Sequence, residues 1–239
     1  MPKVVRLGLR CAVLAVGLVA GIAPAATAAP PTLTGENLSE LDPAVTGTCD
    51  PSGTSEISFG ATGFPTGPYE SGSFTETGTA AVGPQPPYTG GGSFAHGELT
   101  AFSATFSIET PDASITGVKT ADASSLGTGV CREVTGDPDI GNARYVAADV
   151  NGLTYEARIV TAEGTFLDRG TTYVHVDRFT TDVGNPFASF SETFESSLGE
   201  TIRVPGSAEE CKSDGYKAFP GLGFKSQGEC VAYVNHSGS

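Results

Sequence analysis

The chain has 239 residues, with 13 Lys and Arg against 27 Asp and Glu, a formal net charge of −14, 32 Gly and no Trp. Phosphate contacts need clustered Lys and Arg, so this balance argues against a nucleic-acid partner and against anionic membrane surfaces. The length suits one ordinary domain with an appendage or two small ones, and abundant Gly, Ser and Thr without long Leu- or Ala-rich patterns predict many short strands joined by turns.

Lys3, Arg6 and Arg10 precede an apolar run over 11–22 and then Ala26-Thr27-Ala28, the layout of a secretory signal peptide with an A-x-A cleavage site. The run falls short of the ~20 residues of a membrane span. Residues 1–28 are therefore expected to be removed, leaving an exported chain without membrane attachment. Residues 29–49 show little periodicity and read as an extended arm pinned to the body by Cys49. Four cysteines remain after cleavage, an even number in an oxidising compartment, so disulfides are expected. Three pairings are possible in principle. Cys211 and Cys230 lie close together in a compositionally distinct tail, which favours their pairing and leaves Cys49 for Cys131.

The body, 50–203, reads as strands. Residues 102–108 alternate without error, Phe102, Ala104, Phe106 and Ile108 on one face and Ser103, Thr105 and Ser107 on the other. Further candidates are 56–59, 71–82 and 114–119. Asn151-Gly152 is the dipeptide preferred in two-residue type I′ turns, and a hairpin centred there puts Val146, Ala148, Val150, Leu153, Tyr155, Ala157 and Ile159 on one face. A third strand over 171–179, after an Asp168-Arg169-Gly170 turn, extends that meander. Phe187, Phe190 and Phe194 also fit helical spacing, but their Ser/Thr-rich surroundings favour strand. The string Phe-Ser/Thr-Glu/Ala-Thr recurs at 74–77, 102–105 and 190–193; the unequal spacings mark shared strand grammar rather than a solenoid.

In the tail, 204–239, Ser207 to Cys211 and Ser226 to Cys230 share the pattern S-x-x-E-C, and S-x-x-E is the capping box that begins helices. Two short helices stapled by one disulfide are expected. Cys211, Gly215-Tyr216-Lys217, Phe219, Phe224-Lys225-Ser226-Gln227-Gly228, Cys230-Val231 and Tyr233-Val234 together resemble a C-terminal motif of many secreted actinobacterial proteins. Tyr216 stands where such tails often have Trp, and Ser226 where they often have Asn. The resemblance covers about 209–234 and implies an extracellular location, with no chemistry attached.

For function, Tyr173, His175 and Asp177 are alternate residues that a strand would project outward while Val174 and Val176 face the core. An exposed His and Asp two apart could supply two metal ligands or a base with its orienting carboxylate, but no third ligand or nucleophile can be assigned, and a polar outer strand face is the favoured explanation, since functional pairs are a small minority of such pairs. Tyr145 is expected on an outer face, where rings could stack on a glycan; Tyr155 is expected in the core. Asp137-Pro138-Asp139 with Gly141-Asn142 resembles an acidic Ca²⁺ turn in the wrong order for an EF-hand, and is good turn chemistry in its own right. Glu76, Glu156 and Glu192 lie in strand-like segments, with nothing to prefer any pair as a glycosidase dyad. G-x-S-x-G is absent. No metal or cofactor is implied.

The expectation is an all-β protein, an antiparallel β-sandwich or barrel with a small disulfide-stapled helical tail. Its expected role is non-catalytic, binding an extracellular glycan or cell-envelope component through Tyr145, Tyr173, His175 and Asp177. The alternative is a hydrolase of an extracellular polymer such as a polysaccharide.

Overall fold

A computed structural model describes residues 29–121, 127–195 and 201–237; the leader expected over 1–28 lies outside them. The strands are β1 (Asn37–Glu40), β2 (Ala44–Thr48), β3 (Ser55–Gly63), β4 (Ser73–Val82), β5 (Gly97–Glu109), β6 (Ala113–Thr120), β7 (Thr128–Asp137), β8 (Gly141–Thr161), β9 (Gly164–Thr181), β10 (Phe187–Glu195) and β11 (Ile202–Val204). All pairings are antiparallel, and they join into one sheet in the order β1-β10-β9-β8-β6-β5-β4-β3-β2, with β7 against β5 and β8 and β11 against β9. The two ends of that path, β1 and β2, are consecutive in the chain. Asn37 of β1 exchanges backbone hydrogen bonds of 3.0 and 2.8 Å with Thr66, just past β3, so the sheet curls back on itself as a barrel. This is the expected all-β antiparallel architecture.

The staves alternate as their sequences predict. In β5, Phe102, Ala104, Phe106 and Ile108 are buried while Ser103 and Thr105 are exposed. Rings from opposite walls meet in the interior: Phe59 stacks on Phe190 at 6.1 Å, Phe74 on Phe190 at 5.9 Å, and Phe106 lies 5.1 Å from Phe194. Two inward glycines make room for these rings. A Cβ on Gly78 would sit 2.4 Å from Phe59, and one on Gly117 would sit 2.3 Å from Phe106. A large ring packed over a strand glycine restores the apolar contact that the glycine itself lacks.

Both disulfides form as expected, Cys49–Cys131 and Cys211–Cys230. The segment 187–195 is strand, not helix.

Four expectations are corrected. Asn151-Gly152 is no hairpin: β8 runs straight through it, and Asn151 and Gly152 together oppose the single residue Tyr173 of β9 as a bulge. Gly152 has φ +68°, so the dipeptide announced a positive φ, which bulge and turn both require. An inserted residue also reverses strand parity across 151–152, which is why all seven residues assigned to the inner face are buried. The Asp168-Arg169-Gly170 turn is likewise absent; β9 continues through it and reverses at Ala162-Glu163, where Thr161 pairs with Gly164. Residues 29–49 are no arm. They supply β1 and β2, with Leu33 and Leu38 wholly buried.

The tail has one helix instead of two, α1 (Gln227–Ser237), preceded by three short 3₁₀ turns. Ser226 caps α1 by accepting the Glu229 N–H at 3.3 Å, while Glu229 accepts the Lys225 N–H at 2.7 Å. Ser207 makes no such cap; the turn over Ala208–Cys211 ends at Lys212, whose backbone is extended, and positive φ at Ser213 and Asp214 follows. Cys211, Phe219 and Cys230 form a separate small core.

Candidate functional site

β9 is sided as its alternation predicts. Val174 and Val176 are fully buried, and Tyr173, His175 and Asp177 lie on the opposite, outer side of the strand, where Tyr173 is exposed and His175 half-buried; Asp177, expected to be exposed, is buried beneath its neighbours. Register brings Asp149 of β8 directly opposite His175 and Ser189 of β10 opposite Asp177. His175 Nδ1 lies 2.6 Å from Asp149 Oδ1, and Nε2 lies 3.6 Å from Asp177 Oδ2. The Tyr173 hydroxyl donates to Asp149 at 3.0 Å, and the Ser189 hydroxyl to Asp177 at 2.7 Å. Sequence reasoning missed Asp149 as a partner, because only the pairing of β8 with β9 sets it beside His175.

The electrostatics follow from this clamp. Bonds to Asp149 and then Asp177 push His175 up to about 10. The bond from His175 holds Asp149 below its ordinary value; burial works against Asp177, but the bonds from His175 and Ser189 outweigh it and lower that carboxyl too. At neutral pH the imidazole is thus a cation. It has no lone pair for a metal and no capacity as a general base, so the clamp suits a fixed polar platform better than acid–base chemistry. No group of three or more His, Cys, Asp or Glu positioned to hold a metal occurs among the described residues.

A pH dependence follows. His175 has a folded value above its ordinary 6.5, so its stabilisation is complete below pH 6.5 and is lost as pH rises through about 10. The two aspartates, lowered from 3.8, contribute above that pH and lose their contribution in more acidic solution. Urea unfolding across the alkaline window is expected to show falling stability in the wild type and a flatter profile in His175→Ala; equal slopes would remove the clamp's role.

Tyr145 also lies on this outer face, but it is not the free ring expected. Phe94, from the connection between β4 and β5, packs 5.2 Å from it, with Phe179 at 6.1 Å and Phe187 at 6.2 Å, and burial raises its hydroxyl to about 12. Among the described residues, the rings that this face offers to solvent are Tyr173, 37% exposed, and Phe187, 51% exposed; Phe64, 76% exposed, lies elsewhere, just past β3. The acidic turn joining β7 to β8 is occupied by its own backbone: Asp137 accepts the N–H groups of Asp139 and Ile140 at 2.9 and 3.1 Å and the Tyr88 hydroxyl at 2.9 Å.

A second charged cluster lies inside the barrel. Lys119 of β6 points inward and places Nζ 2.5 Å from Glu76 Oε2 of β4 and 2.5 Å from Glu192 Oε2 of β10, with all three side chains fully buried. Phe106 and Phe194 wall the ammonium at 4.5 and 5.0 Å, and Thr172 donates to Glu192 Oε1 at 2.7 Å. Glu76 Oε1 has no hydrogen-bond partner among the described residues. Burial drives Glu76 well above the ordinary carboxylate range, against the pull of Lys119. Nearby, Asp168 accepts the Tyr155 hydroxyl at 2.8 Å and the Leu33 N–H at 2.9 Å, tying the N-terminal segment to β8 and β9.

Fold and site together define a doubly disulfide-bonded antiparallel β-barrel with a polar, aromatic-edged outer face and an ion triad sealed in its core. No protein-family model, curated protein or solved structure matches the chain.

Proposed function

We propose that this is an exported, non-catalytic binding or envelope-associated protein that uses the outer face of β8, β9 and β10 to hold an extracellular glycan or cell-envelope component. The observation that carries the reading is the pair of solvent-facing rings, Tyr173 and Phe187, on the face that carries the Asp149–His175–Asp177 row. Flat apolar rings beside fixed hydrogen-bonding groups suit a ligand that has both apolar faces and hydroxyls, as sugars do. Export is supported by the N-terminal leader pattern and by two disulfides, and no helix among the described residues is long and apolar enough to cross a membrane. The net charge of −14 speaks against nucleic acid as the ligand.

A polymer hydrolase needs two carboxylates across a cleft. Of the two acidic pairs that share a partner, Glu76 and Glu192 have no exposed side-chain surface, and Asp149 and Asp177 are both engaged by His175, so no observation favours that reading.

The test is retention of the mature protein on insoluble polysaccharides and cell-wall preparations, with Tyr173→Ala/Phe187→Ala as the comparison. Binding in the wild type that falls at least tenfold in the double variant is expected. Failure of the wild type to bind any matrix, or undiminished binding by the variant, rejects this face as the site.

A further inference from the structure

We propose that Lys119 and Glu76 condense to an intramolecular amide, cross-linking β6 to β4 inside the barrel, with Glu192 as the proton-transfer group. Three observations converge on it. Nζ lies 2.5 Å from an oxygen of each carboxyl, so nucleophile, electrophile and base are already in reach of one another. All three side chains are fully buried and the nitrogen is walled by Phe106 and Phe194, so water is excluded from the reaction and from its reversal. The two carboxyls are also differentiated. Glu192 is held through Oε1 by Thr172, leaving Oε2 to take a proton, whereas Glu76 Oε1 has no hydrogen-bond partner among the described residues and burial drives that group towards its acid form, the form that carbonyl addition requires.

The step balances without any outside reagent. Lys119 passes one ammonium proton to the Glu192 carboxylate, and the neutral amine adds to Cδ of the Glu76 carboxylic acid. As the C–O bond breaks, the amine's second proton and the departing hydroxyl leave as water. An ammonium, a carboxylate and a carboxylic acid thus become an amide, a water and a carboxylic acid. Net charge stays at zero while the separated charges disappear from a low-dielectric site, which removes the main cost of burying the triad.

Intact mass is the test, made on the full oxidised chain after folding. The expected mass is one water below that of the sequence with both disulfides formed. No Lys or Arg lies between Arg10 and Lys119, so trypsin, blocked at a modified Lys119, should yield one fragment running to Arg132, also lighter by one water, and fragmentation after reduction should place the link at Glu76. A chain of full mass overturns the proposal. A link that instead carries peptide 179–203 overturns the choice of electrophile, because that peptide contains Glu192. Glu192→Gln, checked for folding by circular dichroism, is expected to slow cross-linking at least tenfold; an unchanged rate removes Glu192 from the step. The wild-type mass decides the existence of the link whether or not that variant folds.

Discussion

Lys119→Met is expected to lower the unfolding free energy by about 3–5 kcal/mol, read as the shift in a urea transition with disulfides intact. The size follows from what stays behind. Glu76 and Glu192 would face each other in the core with no cation and no exposed surface, and an uncompensated buried charge costs far more than an ion pair returns. Neutralising all three positions in Glu76→Leu/Lys119→Met/Glu192→Leu should recover most of the loss, because removing a whole buried network is close to neutral. A single variant within about 1 kcal/mol of wild type would show that water or a second proton relieves the pair. The substitution also deletes the nitrogen of the proposed amide, so the comparison belongs on wild-type material of known mass.

Cys49→Ala/Cys131→Ala is expected to cost about 4–5 kcal/mol on chain-entropy grounds, since the bond closes a loop with a sequence separation of 82. The site is built for the bond. A Cβ on Gly47 would come 2.7 Å from Cys131 Sγ, so only glycine lets β2 lie this close. Gln85 brackets the same cysteine, accepting its N–H at 3.1 Å and donating to its carbonyl at 3.2 Å. Differential scanning calorimetry of the double variant should show a correspondingly lower transition. An unchanged transition would mean that the unfolded chain keeps this region together without the bond.

How legible the site was depends on sequence distance. The sidedness of Tyr173, His175 and Asp177 needed only the two-residue period of one strand, but that period does not show that Asp177 is covered on its outer side. The partner of His175 is 26 residues away, and Tyr145 is covered by Phe94, 51 residues away; neither relation has a local signal. The recurrent Phe-x-Glu/Ala string is the instructive case. Its copies set Phe74 with Glu76, Phe102 with Ala104 and Phe190 with Glu192 on the inner face, and Ala104 is the register partner of Lys119. The two glutamates clamp the lysine, and the alanine directly opposite leaves it room. Lys119 itself shares an inward parity with Ala113 and Ile115, a contradiction of the binary pattern that could have drawn notice.

The sequence by itself determined the all-β class, the disulfide pairing, most of the inward and outward faces and the cap of the tail helix, because each rests on strand parity, cysteine spacing or a cap spanning a few residues. Only the tertiary structure decided that Asn151-Gly152 is a bulge, that residues 29–49 are staves of the barrel, and that Glu76, Lys119 and Glu192 meet. A positive φ is a local property, but whether the chain then reverses depends on what lies alongside: β9 flanks β8 on both sides of Gly152 and keeps it straight. β1 pairs with β10 across some 150 residues and β4, β6 and β10 converge from separate parts of the chain; such contacts carry a loop-closure cost that no short window of sequence records.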